Sequence, residues 1–164
     1  MVVVSFTIIV VSDTIYYSGK EDISGEKARE IIESKGYKVL AKKIVPNDYK
    51  MIYRAVIESI KTSDVVLVIG GTGPSPRDIS IDVVKQMSWR ELPGFGELFR
   101  QLSYNEIGPR AAISRAGLFI VGESAVAVVP GSPHAVELAL EKILLDIVDH
   151  LVREMRRISG EHKL

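Results

Sequence analysis

Two apolar runs set most of what this chain can become. Val2 to Val11 reads VVVSFTIIVV and Val65 to Ile69 reads VVLVI, and neither alternates polar with apolar. A strand with one wet face alternates with period two, so continuous β-branched runs belong to strands covered on both faces. The segments between them have helical character. Ser24 can cap a helix with Ala28, Ile31 and Ile32 turned inward, and Gly36 closes it in a left-handed turn. Tyr37 to Val45 reads as a second strand, stopped by Pro46. From about Tyr49, Met51, Ile52, Ala55, Val56 and Ile60 recur at helical spacing. Units of this length form right-handed strand–helix–strand crossovers in a mainly parallel sheet.

The second half is less regular. Ile79 to Met87 and Phe95 to Glu106 read as short helices, and AGLFIVGESAVAVVP as a hairpin around a Gly-Glu-Ser turn. A long amphipathic helix runs from Pro133 to about Arg156, with Val136, Leu140, Ile143, Leu144, Ile147 and Leu151 along one face. The expected fold class is α/β, a three-layer αβα sandwich with a mainly parallel sheet, in a single domain over residues 1–164.

Composition narrows the function. Hydrophobic residues make up 46% and charged residues 26%, as in a soluble globular protein rather than a disordered one. The net charge of zero argues against a broad electrostatic grip on nucleic acid or on an anionic membrane. With no cysteine there is no disulfide framework, thiolate nucleophile or Cys-based metal site. The apolar N-terminus lacks a basic leader, and Ser5 and Thr7 interrupt it before it could span a membrane. A soluble, cytoplasmic protein is expected.

The run VVLVI ends in GGTGPSPRD, residues 70–78. In an open parallel sheet, ligands sit beyond the carboxyl ends of the strands. Gly70, Gly71 and Gly73 carry no Cβ, so a ligand can approach the main chain and N–H groups can converge on an anion. No lysine follows the glycines, which excludes a GxxxxGK[ST] loop, and the pattern is not GxGxxG either. A carboxylate-held Mg2+ is then the natural carrier of the compensating charge, with Asp78 placed to bind it. The plainer alternative is a tight turn in which Asp78 only caps the next helix.

GGTGPSPRDIS, ELPGFGELFRQLSYNEIG, SRAG and PGSPHAV, with VSDT and EDISG near the start, occur in this order over nearly the whole chain. Together they resemble the molybdopterin-binding domain family, specifically its MoaB/MogA branch. The resemblance implies a cytosolic protein that assembles as a trimer or as a hexamer of two trimers. It implies binding of molybdopterin, a phosphorylated dithiolene pterin. In active members it implies Mg2+-dependent transfer of AMP from ATP to that phosphate, with release of pyrophosphate, before molybdate or tungstate is inserted. A downstream metal-insertion protein is a further implied partner. The alternative within the family is a MoaB-type paralogue that binds molybdopterin without turnover. A related domain of pyridine-nucleotide salvage proteins shares the loop and predicts a hydrolase, but usually brings a second domain.

The resemblance assigns residues. Asp78 matches the family's RD aspartate, and Gly70, Gly71, Thr72 and Gly73 supply donors and room for a nucleotide or pterin phosphate. Ser12, Asp13 and Thr14 end the first strand on the same rim, where a simple strand-terminating turn is an equal reading. Catalytic members place aspartate directly after the proline that ends the second strand; IVPNDYKMI has Asn47 there and Asp48 next. Either Asp48 takes over as metal ligand, or metal affinity falls, or adenylylation is lost, while either residue would also cap the following helix. Gly131 and Ser132 open the long helix, whose first turn suits the pterin phosphate. Ser114 and Arg115 match the family's SR motif, with Arg115 expected on a phosphate rather than on a helix end. Attack by a phosphate oxyanion needs alignment and neutralisation more than a base. His134, His150 and His162 are accordingly read as capping or solvent-exposed. Phe95, Leu98, Phe99 and Leu102 form a stripe for core or subunit contact rather than a pterin platform, and Trp89 and Tyr104 are read as packing residues, with stacking on a ring system as the alternative.

Overall fold

The computed structural model describes residues 2–157, which leaves His162 outside the described residues. Elements follow in the order β1 (Ser5–Val11), α1 (Asp13–Ser18), α2 (Ile23–Ser34), β2 (Lys38–Val45), α3 (Tyr49–Ser59), β3 (Val65–Ile69), α4 (Ser80–Met87), β4 (Arg90–Glu91) and α5 (Pro93–Ile107). A 3-10 turn over Gly108–Ile113 leads to β5 (Gly117–Val121) and β6 (Ser124–Val129), and α6 (Pro133–Ala139) and α7 (Leu145–Met155) close the chain.

All six strands form one sheet in the order β2-β1-β3-β6-β5-β4. The four strands from β2 to β6 run parallel, and β5 and β4 add antiparallel at one edge. Every residue of β3 is buried, as a strand covered on both faces requires. Phe6, Ile8, Val10, Leu67 and Ala127 face one side, against α2, α5 and the C-terminal helix. Ile9, Val11, Val66, Val68 and Val126 face the other, against α3 and α4. This is the expected three-layer αβα sandwich. No helix of the described residues is long and apolar enough to cross a membrane.

Several local details depart from the sequence reading. Val2 and Val3 are exposed and precede the strand. The loop after β1 contains the one-and-a-half-turn helix α1, capped by Ser12 and ended by Gly19 in the left-handed region. The cap of α2 is Asp22, whose Oδ1 accepts the Gly25 N–H at 2.8 Å; the Ser24 hydroxyl instead donates to the Gly131 carbonyl at 2.6 Å. Within the last helix, Leu140–Leu144 forms a π turn. Its extra residue rotates the inward face. Leu145, Val148 and Val152 therefore become the buried positions of α7, while Ile147, expected inward, is exposed.

Candidate functional site

The chain leaves β1 to place β2 on one side and later β3 on the other. The main chain diverges at such a switch point, opening a crevice beyond the carboxyl ends of the two strands. A cleft of about 470 Å³ lies there, lined by the ends of β1 and β3, by Ser12, Asp13 and Thr14, by Gly70 to Gly73, and by Asn47, Arg77, Asp78 and Gly131.

The loop after β3 depends on bare backbone at its start. Gly70 has φ +98° and Gly71 φ +67°, where side chains are strained. A Cβ on Gly70 would stand 2.4 Å from the Val11 carbonyl oxygen. One on Gly71 would stand 2.4 Å from Ser80 Oγ and 2.7 Å from Asn47 Oδ1. Those two oxygens are buried and have no hydrogen-bond partner among the described residues. Buried oxygens without partners are uncommon in folded proteins, and both press on the same glycine.

Arg115 clamps the same loop from outside. Its Nε donates to the Thr72 carbonyl (3.2 Å), its Nη2 to the Asp78 carbonyl (2.6 Å) and its Nη1 to both carboxylate oxygens of Asp82 (3.1 and 3.0 Å). The guanidinium expected on a phosphate is thus engaged by protein acceptors at both ends of the segment. Asp78 does not cap α4, whose first turn has no side-chain cap. Its Oδ2 accepts the Ser75 N–H at 3.2 Å, folding the carboxylate back beneath Gly73 on the cleft wall.

Asp13 joins three strand ends. Its own segment follows β1, its Oδ1 accepts the Asn47 N–H after β2 (2.8 Å), and its Oδ2 accepts Arg77 Nη2 from the loop after β3 (2.7 Å). The hydrogen bond from Arg77, then that from the Asn47 N–H, hold its carboxyl below the usual range against the opposing effect of partial burial. The Asn47 side chain adds to the same lowering, a contribution a second carboxylate at that position could not make.

Asp48 stands elsewhere. It is exposed, its Oδ1 caps α3 by accepting the Met51 N–H at 2.9 Å, and it is not part of the cleft wall. The expectation that Asp48 shares the metal with Asp78 is corrected: helix capping turns its carboxylate away. Ser114 and Ser132 also leave the main cleft. They line a separate slot of about 160 Å³ beneath α5 and α6, where Ser132 Oγ accepts the Ala135 N–H at 3.1 Å as the cap of α6. Gly131 alone of that motif borders the cleft, packed against Gly70. His134 and His150 are exposed, with His134 paired to Glu106.

Sequence reading missed Asp22 and Lys42 as site support. Asp22 lines the cleft although 6% exposed, and its Oδ2 accepts Lys42 Nζ at 2.8 Å. Burial works against the Lys42 charge, but Asp22 and Glu26 more than offset it and raise its pKa. The available signal was the spacing in EDISG, an Asp three residues before a Gly whose N–H it caps.

Among the described residues no three His, Asp or Glu side chains converge into a metal cage. Asp78 and Asp13 are carboxylates on the cleft wall, the donor type that Mg2+ shares with substrate phosphates while keeping most of its waters.

Residues 7–150 match the family model described as "Probable molybdopterin binding domain". Molybdenum cofactor biosynthesis protein B of Bacillus subtilis is 38% identical over 158 residues, covering 94% of this chain and 92% of that protein. The crystal structure of the tungsten cofactor synthesizing protein MoaB from Pyrococcus furiosus superimposes with a TM-score of 0.88 at 37% identity, covering 94% of this chain and 98% of that one. A MogA structure does so with a TM-score of 0.84 at 25% identity, covering 92% and 99%. With the fold, the switch-point cleft and these likenesses in agreement, the chain belongs to the MoaB/MogA family of molybdopterin-binding domains.

Proposed function

We propose that this protein acts in molybdenum or tungsten cofactor biosynthesis by binding molybdopterin and transferring AMP to its phosphate from Mg-ATP. The observation that carries this reading is the cleft at the β1/β3 switch point, walled by the side-chain-free start of the 70–78 loop. The bare glycines let the loop pack tightly on Val11, Asn47, Ser80 and Asp78. Because the Gly70 N–H is given to the Val129 carbonyl, the phosphate donors of this reading are the N–H groups of Gly71, Thr72 and Gly73. The chemistry is attack of one phosphate oxygen on the α-phosphorus of ATP, and Mg2+ would supply charge neutralisation for both phosphate chains. Asp78 would hold that ion from beneath Gly73, and Asp13 is a second cleft carboxylate, the third, Asp22, being paired with Lys42. Arg115 keeps the loop's two ends at fixed separation, so donors and carboxylate are aligned before ligand arrives. The reaction needs no general base, because the attacking oxygen is already ionised at neutral pH. The reading includes a cytoplasmic homotrimer or homohexamer, supported by the exposed apolar side chains Leu98, Ile107 and Ile113 around α5.

Labelled ATP, Mg2+ and molybdopterin incubated with the purified protein should give adenylyl-molybdopterin and pyrophosphate. Bound pterin without labelled product would refute turnover and leave binding intact. One observation favours that second reading, a MoaB-type binder: Asn47 stands where active members carry aspartate, and its Oδ1 is buried against Gly71 rather than open to a cation. Substituting Asn47→Asp separates the two, since a weakened enzyme gains activity and a pure binder stays inert.

A further inference from the structure

Four charged side chains line the cleft, and three of them are carboxylates: Asp13, Asp22 and Asp78. A wall of that sign repels a phosphorylated ligand unless a cation on it is free to turn. Asp22 is neutralised from behind by Lys42, and Arg115 is held by Thr72, Asp78 and Asp82. Among the described residues Arg77 is the one cation on the wall itself. Its side chain is 65% exposed, and a single ion pair, to Asp13 Oδ2, holds it across the cleft mouth. An exposed pair of this kind is weak. A guanidinium that meets a phosphate bidentately gains more. Asp13 would not be stranded by the loss, because its Oδ1 keeps the Asn47 N–H.

We propose that Arg77 is the phosphate-binding cation of this cleft and that Asp13 competes with the ligand for it, so that binding exchanges a carboxylate for a phosphate on the same guanidinium. The inference rests on the reading of the cleft as a phosphate site and adds to it a specific residue and a competitor. Asp13 thereby becomes a selectivity element: an anion enters only if it outbids an internal carboxylate, which disfavours weakly charged ligands. Once released, Asp13 Oδ2 is an acceptor for a cation that accompanies the ligand.

Titration calorimetry without Mg2+, using inorganic pyrophosphate as the stand-in for a nucleotide and inorganic phosphate for a pterin monoester, tests the exchange. Arg77→Gln should weaken binding about tenfold or more, the loss of one charge-assisted contact. Asp13→Asn, which keeps an oxygen for the Asn47 N–H, should tighten it several-fold. The anion that responds identifies which phosphate Arg77 holds. Equal weakening by both substitutions would make the pair a structural tie and overturn the proposal, as would wild-type affinity in Arg77→Gln. Failure of the wild-type protein to bind either anion would sink the phosphate-site reading together with the exchange.

Discussion

The two ends of the central sheet use similar residues to opposite ends. At the amino end, Asp64 accepts the Ser5 N–H (2.8 Å) and hydroxyl (2.9 Å) and pairs with Arg156. Thr7 and Ser63 share a buried hydrogen bond of 2.6 Å, and the Ser124 hydroxyl donates to the Ser63 carbonyl at 2.8 Å. At the carboxyl end, Asn47 Oδ1 and Ser80 Oγ are buried without partners among the described residues, two consecutive glycines hold positive φ, and Arg77 is tied to Asp13 by an exposed ion pair. Volume does not separate the two ends. A hollow of about 660 Å³ lies at the amino end, between Val2–Val4 and the last turns of α7, larger than the cleft. Two pairs of its polar side chains are bonded across it, Tyr37 to Asp149 and Arg156 to Asp64. A functional site is marked by local strain and by polar groups without partners, because packing alone would select against both.

The contrast predicts that substitutions at the two ends move different observables. The largest effect is expected for Asp78→Asn, which should lower AMP transfer about 10²–10³-fold, as for loss of one aligned electrostatic contact. The unfolding free energy of this variant should stay within about 0.5 kcal/mol of wild type, because the Asn side chain is of the same size and keeps an oxygen for the Ser75 N–H. Unfolding at the same midpoint with unchanged activity would remove Asp78 from the site. Gly71→Ala comes next. It forces a Cβ into a positive-φ position and against Ser80 and Asn47, so urea unfolding should show a loss of about 1–3 kcal/mol together with weakened ligand binding. A variant that binds normally would mean the loop relaxes at no cost.

The amino end should show the reverse. Asp64→Asn is expected to cost about 1–2 kcal/mol of stability while pyrophosphate affinity stays at the wild-type value. Burial raises the Asp64 pKa, but the Ser5 N–H, the Ser5 hydroxyl and Arg156 outweigh burial and hold it below the ordinary 3.8. A carboxyl whose folded pKa is depressed stabilises most above its unfolded pKa and loses that contribution as pH falls through the folded value. The gap in unfolding free energy between wild type and Asp64→Asn should therefore be full at neutral pH and shrink below about pH 4. A gap independent of pH would assign the effect to packing instead.

Regular structure was legible because burial writes itself into composition. VVLVI is a strand buried along its whole length, and Ile52, Ala55 and Val56 form the buried face of α3, so both were readable from pattern alone, although Met51, expected on that face, is exposed. Other features depend on partners distant in sequence. The π turn at Leu140–Leu144, which exposes Ile147, leaves no mark in an uninterrupted apolar pattern. Strand β4 is two residues long and exists only because Trp89 and Leu92 donate main-chain bonds to β5. In the site, the glycines and Asp78 could be placed because they are contiguous with the strand that carries them. Arg115 could not be given its role, since its acceptors, Thr72 and Asp78, lie 43 and 37 residues away. The choice between Asn47 and Asp48 was likewise decided by helix capping, which put the charged neighbour outside the cleft.

Amide chemical-shift mapping during titration with pyrophosphate tests the central claim most directly, because both hollows are observed at once. The account predicts shifts concentrated at Ser12–Thr14 and Gly70–Asp78, with the amides of Val2–Val4, Tyr37 and Arg153–Arg156 unmoved. Shifts confined to the amino-end hollow, or spread evenly over exposed amides, would contradict it.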